Sequence, residues 1–372
     1  MSAKLKHRWS LGHNYLAGVS AGDWWRLLRE NRFAVDPAYW HRAAFVSLVS
    51  FINSYYRRQE ERRFGPAIEK VEITEPPLFV LGHWRSGTTH LHNLLALDTD
   101  QFAFANTYQV VNPHTFLSTE EVNTRRFAFL LPDKRPMDNM ALSFASPQED
   151  EFAMLLSCFY SLYLGISFPR REAHYSRYLT FDGVPENEIA EWKGALLRFM
   201  KKLTCKHGRA LVLKSPPHTA RIRLLLDMFP RARFVHIHRH PCTVFRSTQH
   251  YFDTAVWYTY LQRPKRETVD RGILDRYTAM YDSFFEYRGL IPPGNFHEMS
   301  FEDLERVPLA EMRRLYEALS LPGFDAVEPR LKGYLASLDG YKRNEYEELS
   351  SALRETVATE WRRSFDEWGY SH

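Results

Sequence analysis

The sequence predicts an α/β protein: a doubly wound parallel sheet, P-loop-like in its first strand-to-helix turn, flanked by helices and extended by helical segments at both ends. Three observations predict it. Short apolar runs at Leu78–Leu81, 210–213 and Arg233–His238 are each stopped by turn chemistry and followed by a helical pattern, as expected of strands buried on both faces. A glycine-spaced loop joins the first of these runs to its helix. The composition, 44% hydrophobic and 25% charged over 372 residues, supplies apolar material for a large core and excludes wholesale disorder. Length alone suggests about two domains. There is no internal repeat or low-complexity tract, so one compact unit is expected over residues 76–372, preceded by a helical extension over 1–75.

Taken in order, residues 1–63 read as helical and rich in Trp and Arg, closing with the charged run RRQEERR. They hold 11 Lys/Arg against 5 Asp/Glu, a net of +6, so the rest of the +4 chain sums to −2. That total is too small for nucleic acid to be the main partner. The segment suits two placements, peripheral contact with an anionic membrane surface or a helix pair flanking the sheet, and the second is favoured.

The opening MSAKLKHRWSLGHN lacks an apolar segment ending in a small-residue cleavage site, so no secretory signal is expected. The apolar stretches 43–56 and 152–168 fall short of the ~20 predominantly apolar residues of a spanning helix. Cys158, Cys205 and Cys242 have neither disulfide-framework nor zinc-ligand spacing. A cytoplasmic protein is expected.

Glu75-Pro76-Pro77 closes a loop before Leu78–Leu81, and residues 88–97 look helical. Residues 147–168 and 188–206 read as helices, the second a crossover before the strand at 210–213. That strand leads through Lys-Ser-Pro-Pro-His into a helix to Phe229, and Arg233–His238 leads through Arg239-His240-Pro241 into another. Helices over 309–319, 328–338 and 349–368 close the chain.

Chemistry concentrates in Gly82-His83-Trp84-Arg85-Ser86-Gly87-Thr88-Thr89, a GxxxxG loop between strand and helix. Glycines let the backbone approach an anion, successive N–H groups and the helix N-terminus point at it, and the hydroxyls add donors. A P-loop NTPase has Lys after the second glycine, where this chain has Thr88; the nearest cation is Arg85. Triphosphate chemistry is therefore disfavoured, and the loop suits a shorter anion gripped by a guanidinium fork. A second candidate follows the strand Arg233–His238: Arg239, with Ser247 two helical turns on. If the two strands are neighbours, both sites lie at the carboxyl edge of one sheet and serve one ligand.

Together these residues resemble the sulfotransferase superfamily, which uses 3′-phosphoadenosine 5′-phosphosulfate, with the closer look of its bacterial members, over residues 76–345. Trp84-Arg85-Ser86-Gly87-Thr88-Thr89-His90 is similar to the family's 5′-phosphosulfate loop P-K-S-G-T-T-W, with Arg85 for the Lys and His90 where a Trp often stacks on adenine. Arg239 and Ser247, eight residues apart, are similar to its 3′-phosphate signature, and Lys342 with Arg343 are weighed as the counterpart of a late R-K-G loop. The resemblance implies in-line sulfuryl transfer to an acceptor hydroxyl, no metal, and adenosine 3′,5′-bisphosphate as product. It places Arg85, Ser86, Gly87, Thr88, Thr89 and His90 at the 5′ end of the donor and Arg239, Ser247, Lys342 and Arg343 at the 3′ end. Lys214 resembles a family Lys that precedes the catalytic His.

Two residues compete for the base. His218 follows Lys214 by four, where the cytosolic enzymes have K-T-H with a gap of two. With Ser215 as N-cap, Pro216 and Pro217 would start a helix with His218 in its first turn. In Glu149-Asp150-Glu151, the pattern Ser146-Pro147-Gln148-Glu149 reads as a capping box that explains Glu149 and leaves Glu151 over. His218 ranks first and Glu151 second. His236 and His238 share a strand face, where packing outweighs metal binding, and Tyr251, Phe252, Trp257, Tyr258 and Tyr260 read as core ahead of an acceptor pocket wall. Ser300-Phe301-Glu302-Asp303 reads as a helix start with no chemistry.

Abundant aromatics and few cationic clusters beyond residue 63 lean towards a small-molecule or lipid hydroxyl acceptor: a hydrophobic alcohol, phenol, sterol or lipid. Two alternatives stay open at this point. One is a divergent P-loop kinase or other nucleotide enzyme; the other is a non-catalytic, membrane-associated binding protein.

Overall fold

The structure, a computed structural model, describes residues 5–12, 14–127, 143–264, 268–338 and 348–371. The chain divides into two compact units. The first comprises Met1–Ile73, Ala105–Gly208 and Tyr251–Thr268; the second comprises Thr74–Phe104, Arg209–His250 and Val269–His372.

Among the described residues the second unit is built on a five-stranded, wholly parallel sheet of β1 (Leu78–Leu81), β2 (Phe102–Phe104), β3 (Ala210–Lys214), β4 (Arg233–His238) and β5 (Phe296–Ser300), in the order β2-β3-β1-β4-β5. The three strands legible as apolar runs are β1, β3 and β4. Two more, β2 and β5, lie at the edges. Val80 pairs with Lys214 on one side and Val235 on the other. The turns after β1, β3 and β4 therefore leave the sheet at the same edge.

Side chains alternate across these strands, and both faces are covered. Leu78, Val80, Val235 and Ile237 pack with Leu91, Leu94 and Leu95 of the helix Thr88–Ala96 and with Met312 and Leu315 of the helix Pro308–Ala318. On the opposite face Phe79 packs against Phe229 and Phe234, and the His236 ring stacks on Phe284 of the helix Val269–Tyr287. Each such fully buried Leu, Val or Phe contributes about 1.5–3 kcal/mol.

The first unit is helical. The helix Ala21–Glu30 starts at Ser20, whose hydroxyl accepts from the Asp23 amide, and the Trp24 indole donates to Ser47 of the long helix Trp40–Glu69 at 2.8 Å. Glu60, buried on that helix, forms an ion pair of 2.6 Å with Lys202 of the helix Glu186–His207. Arg42 is fully buried, and its guanidinium donates to the carbonyls of His7, Ser10, Trp257 and Tyr260. Five fixed donors let one side chain gather two distant segments. Trp257 and Tyr260 are buried with Tyr39, and Tyr251 and Phe252 pack at the edge of that cluster.

Three local expectations are corrected. Residues 147–168 do not form one helix but two short ones, Glu151–Ser157 and Leu164–Ser167, parted at Phe159 with φ 68°. The capping box does not form: the Ser146 hydroxyl accepts from the Ser143 amide, and Pro147 pairs as an isolated bridge with Asn106. Residues 349–368 likewise split into Ser351–Glu360 and Arg362–Trp368, because Trp361 at the break stacks on Tyr277 at 3.6 Å. Among the described residues no helix is long and apolar enough to cross a membrane.

Candidate active site

The loop after β1 is shaped by its glycines. Gly82 has φ 141°, and a Cβ there would stand 2.4 Å from the Ile237 carbonyl oxygen of β4. Only glycine fits so close to the neighbouring strand. The turn closes where the Ser86 amide and hydroxyl both donate to the His83 carbonyl, at 3.1 and 2.8 Å. Gly87, φ 103°, occupies the N-cap of the helix Thr88–Ala96 and has no side chain to cap it. The leading N–H groups and the positive end of the helix dipole thus face the loop.

Arg85 lies in this loop with φ 72°, a left-handed conformation that costs a non-glycine residue about 1–3 kcal/mol. Its Nε donates to Ser247 Oγ at 2.9 Å, and Arg239 Nη1 donates to the Arg85 carbonyl at 3.4 Å. Three residues spread over more than 160 positions therefore meet at one turn. The turn thus carries two arginines, the residue type best suited to grip an anion there.

The turn after β3 supports the loop from the other side. Pro216–Ala220 is a 3-10 helix rather than the α-helical turn expected, and Ser215 does not cap it with its side chain. Thr219 Oγ1 accepts from the Gly82 amide at 2.7 Å. Lys214, the last residue of β3, and His218 are buried, and the His218 ring meets Phe79 edge to face at 5.4 Å. His90, one turn into its helix, stacks on Tyr334 with centroids 6.3 Å apart. Glu151 belongs to the first unit, where its buried carboxylate accepts from the Ser161 hydroxyl at 2.7 Å. Lys342 and Arg343 lie outside the described residues.

Sequence reasoning missed the residues that hold the Arg239 turn. Phe301 lies under the Arg239 guanidinium at 4.4 Å, a cation–π contact. Glu302 accepts from the His240 amide at 3.1 Å and from the Tyr370 hydroxyl at 3.0 Å, and Tyr370 in turn lies 2.8 Å from His238 Nδ1. Ser300 does cap the helix that follows, accepting from the Asp303 amide. The local capping signal thus concealed a second use of its two neighbours. His236 pairs with Glu298 at 2.8 Å, and the His238 ring lies parallel to Trp368 at 4.6 Å.

His83 gives the loop a pH dependence. Burial pulls its pKa down to about 3, with Arg276 adding to the effect and the backbone contact to Trp84 opposing it. A depressed histidine contributes stability that is full above its unfolded pKa of ~6.5 and is lost as pH falls from there towards 3. The expected loss from this residue is about 1.4 kcal/mol per pH unit across that window. His83→Gln is expected to flatten the urea-unfolding stability by one proton's worth between about pH 6 and pH 4; an unchanged slope would exclude His83 as the source.

Comparison with known proteins points in one direction. The model described as "Sulfotransferase family" matches residues 76–326. Omega-hydroxy-beta-dihydromenaquinone-9 sulfotransferase Stf3 of Mycobacterium bovis and that of Mycobacterium tuberculosis are each 38% identical over 353 residues, 95% of this chain and 90% of theirs. Among solved structures, sulfotransferase STF9 from Mycobacterium avium superposes with a TM-score of 0.69 at 19% identity, covering 94% of this chain and 96% of its own. Sulfotransferase STF1 from Mycobacterium tuberculosis gives 0.65 at 15% identity, with 93% of each chain covered. These two show the fold.

Proposed function

Because this chain belongs to the sulfotransferase family, we propose that it moves a sulfuryl group from 3′-phosphoadenosine 5′-phosphosulfate to a lipid-type hydroxyl. Membership sets aside the kinase and the non-catalytic binding protein. The observation that carries the choice of donor is the convergence of Arg85, Ser247 and Arg239 on one turn. A carrier with anionic groups at both ends of an adenosine matches two cationic seats at one sheet edge. The acceptor class is supported by the relative of 38% identity, which by its name acts on an omega-hydroxylated dihydromenaquinone.

In this reading Arg85, Thr88, Thr89 and the amides at the start of the helix hold the 5′-phosphosulfate, while Arg239 and Ser247 hold the 3′-phosphate; Ser86, expected from the sequence to be a donor to the ligand, instead spends its amide and hydroxyl on the His83 carbonyl and shapes the turn. His90 borders the adenine. Transfer is in line: the acceptor oxygen bonds to sulfur as the bond from sulfur to the bridging phosphate oxygen breaks, and adenosine 3′,5′-bisphosphate departs. Positioning and charge stabilisation carry most of the rate, as in phosphoryl transfer. Lys214, at the end of β3 beside the loop, neutralises the bridging oxygen as it leaves.

The acceptor proton goes to His218, which stands next to Thr219 and so close in sequence to the residue that holds Gly82; Glu151 is the second candidate. His218→Gln should lower turnover by about 10²–10⁴, and Glu151→Gln by less than about tenfold. The reverse ranking in a steady-state assay would move the role to Glu151. The function itself is tested by incubating the protein and donor with long-chain alcohols, phenols, sterols and hydroxylated quinone lipids. A mass gain of about 80 daltons, one SO₃, is expected on a lipid-type alcohol, and no gain on any hydroxyl compound would refute the proposal.

A further inference from the structure

The first unit presents an apolar face that its own core does not use. On the helix Trp40–Glu69, Leu48, Phe51, Ile52 and Tyr55 recur at helical spacing with Trp40 about two turns earlier on the same side, each between 53% and 69% exposed. Single exposed apolar residues are ordinary; five in register along about 22 Å of helix are not. Trp9, also exposed, extends the face at its start, its ring 5.0 Å from that of His41. One turn further along the same side, the residues become Arg58, Gln59 and Arg62, all exposed.

Charge says what kind of surface this face meets. Four of the five acidic residues in 1–63 are engaged with cations within the unit: Asp23 with Arg57, Asp36 with Arg170, Glu60 with Lys202 and Glu61 with Arg198; the fifth, Glu30, lies on the preceding helix Ala21–Glu30 and not on the stripe. The outward field near the stripe is then set by Arg58, Arg62 and Arg63, consistent with the +6 carried by residues 1–63. An apolar stripe bearing Trp and Tyr, followed on the same side by arginines, matches the boundary between acyl chains and anionic headgroups. The rings and Leu48, Phe51 and Ile52 leave water, and the arginines stay at headgroup level.

We infer that this side of the helix Trp40–Glu69 is a docking surface for an anionic lipid bilayer, on which the protein lies without spanning it. The inference does not rest on the transfer reaction, because vesicle binding is read with neither donor nor acceptor present.

The test is flotation of the full-length protein with vesicles of phosphatidylcholine, with and without phosphatidylglycerol. Binding is expected to the anionic vesicles and to weaken with added salt. The double variant Leu48→Asp, Phe51→Asp should lower partitioning at least about tenfold, and Arg58→Gln with Arg62→Gln about fivefold per charge. The arginine pair, whose side chains support no core, keeps the test decisive should the first variant fold poorly. Absence of flotation with anionic vesicles, or wild-type flotation of both variants, would overturn the inference. So would sedimentation velocity showing a wild-type dimer that the Leu48→Asp, Phe51→Asp variant abolishes, since that assigns the face to a second copy of the chain.

Discussion

Replacing Arg85 by alanine is expected to lower turnover by about two to three orders of magnitude, the scale of one lost donor to developing charge, while leaving the fold nearly as stable. The side chain is only partly buried, and its Nε donates to the Ser247 hydroxyl. What distinguishes the residue is its backbone, at φ 72°. Alanine keeps that left-handed cost and glycine removes about 1–2 kcal/mol of it. Arg85→Gly should therefore unfold at a higher urea concentration than Arg85→Ala while being no more active. Such strain is retained where function requires the side chain in that place. Equal rates for wild type and Arg85→Ala would make this arginine a bystander.

Gly82→Ala is expected to cost about 3 kcal/mol or more in stability, by urea unfolding, and to abolish nucleotide binding in what remains folded. The new Cβ would stand 2.4 Å from a carbonyl oxygen of β4, 2.8 Å from Ser86 Oγ and 2.9 Å from Thr88 Cγ2. The first of these is strand backbone, which cannot rotate aside, so either β1 parts from β4 or the loop is displaced. Gly87→Ala provides the contrast. Its Cβ would meet the Phe301 ring at 2.2 Å, and that ring can move, but Arg239 rests on it. A smaller loss of stability with a larger loss of 3′-phosphate recognition is expected there. Stability within about 0.5 kcal/mol of wild type for Gly82→Ala would contradict the packing described for the loop.

The parts of this molecule legible in its sequence are those whose physics is local. Leu78–Leu81 is a buried parallel strand of four apolar side chains, and Arg233–His238 buries Phe234, Val235 and Ile237, so both show as short apolar segments. The glycine loop shows as spacing. Arg239 and Ser247 lie two helical turns apart, and β1 and β4 prove adjacent, so the two motifs reach one edge.

What stayed hidden depends on distant partners. Phe102–Phe104 has three residues, too few for a period, and Phe296–Ser300 carries His297 and Glu298 on an edge strand. Glu298 earns its place through His236, 62 residues away. Phe301, Glu302 and Tyr370 support the Arg239 turn from far along the chain, with no local pattern to announce it. In 147–168 an apolar run without clear periodicity concealed a break at Phe159.

Calorimetric titration with adenosine 3′,5′-bisphosphate and with adenosine 5′-monophosphate asks most directly whether Arg239 and Ser247 form the second seat. The account predicts that the wild type binds the bisphosphate about 100-fold more tightly or better, and that Arg239→Ala brings the two within roughly tenfold, the scale of a lost charge-assisted bond of about 1.5–3 kcal/mol. Equal wild-type affinity for the two nucleotides, or an Arg239→Ala loss of the same size for both, would contradict it.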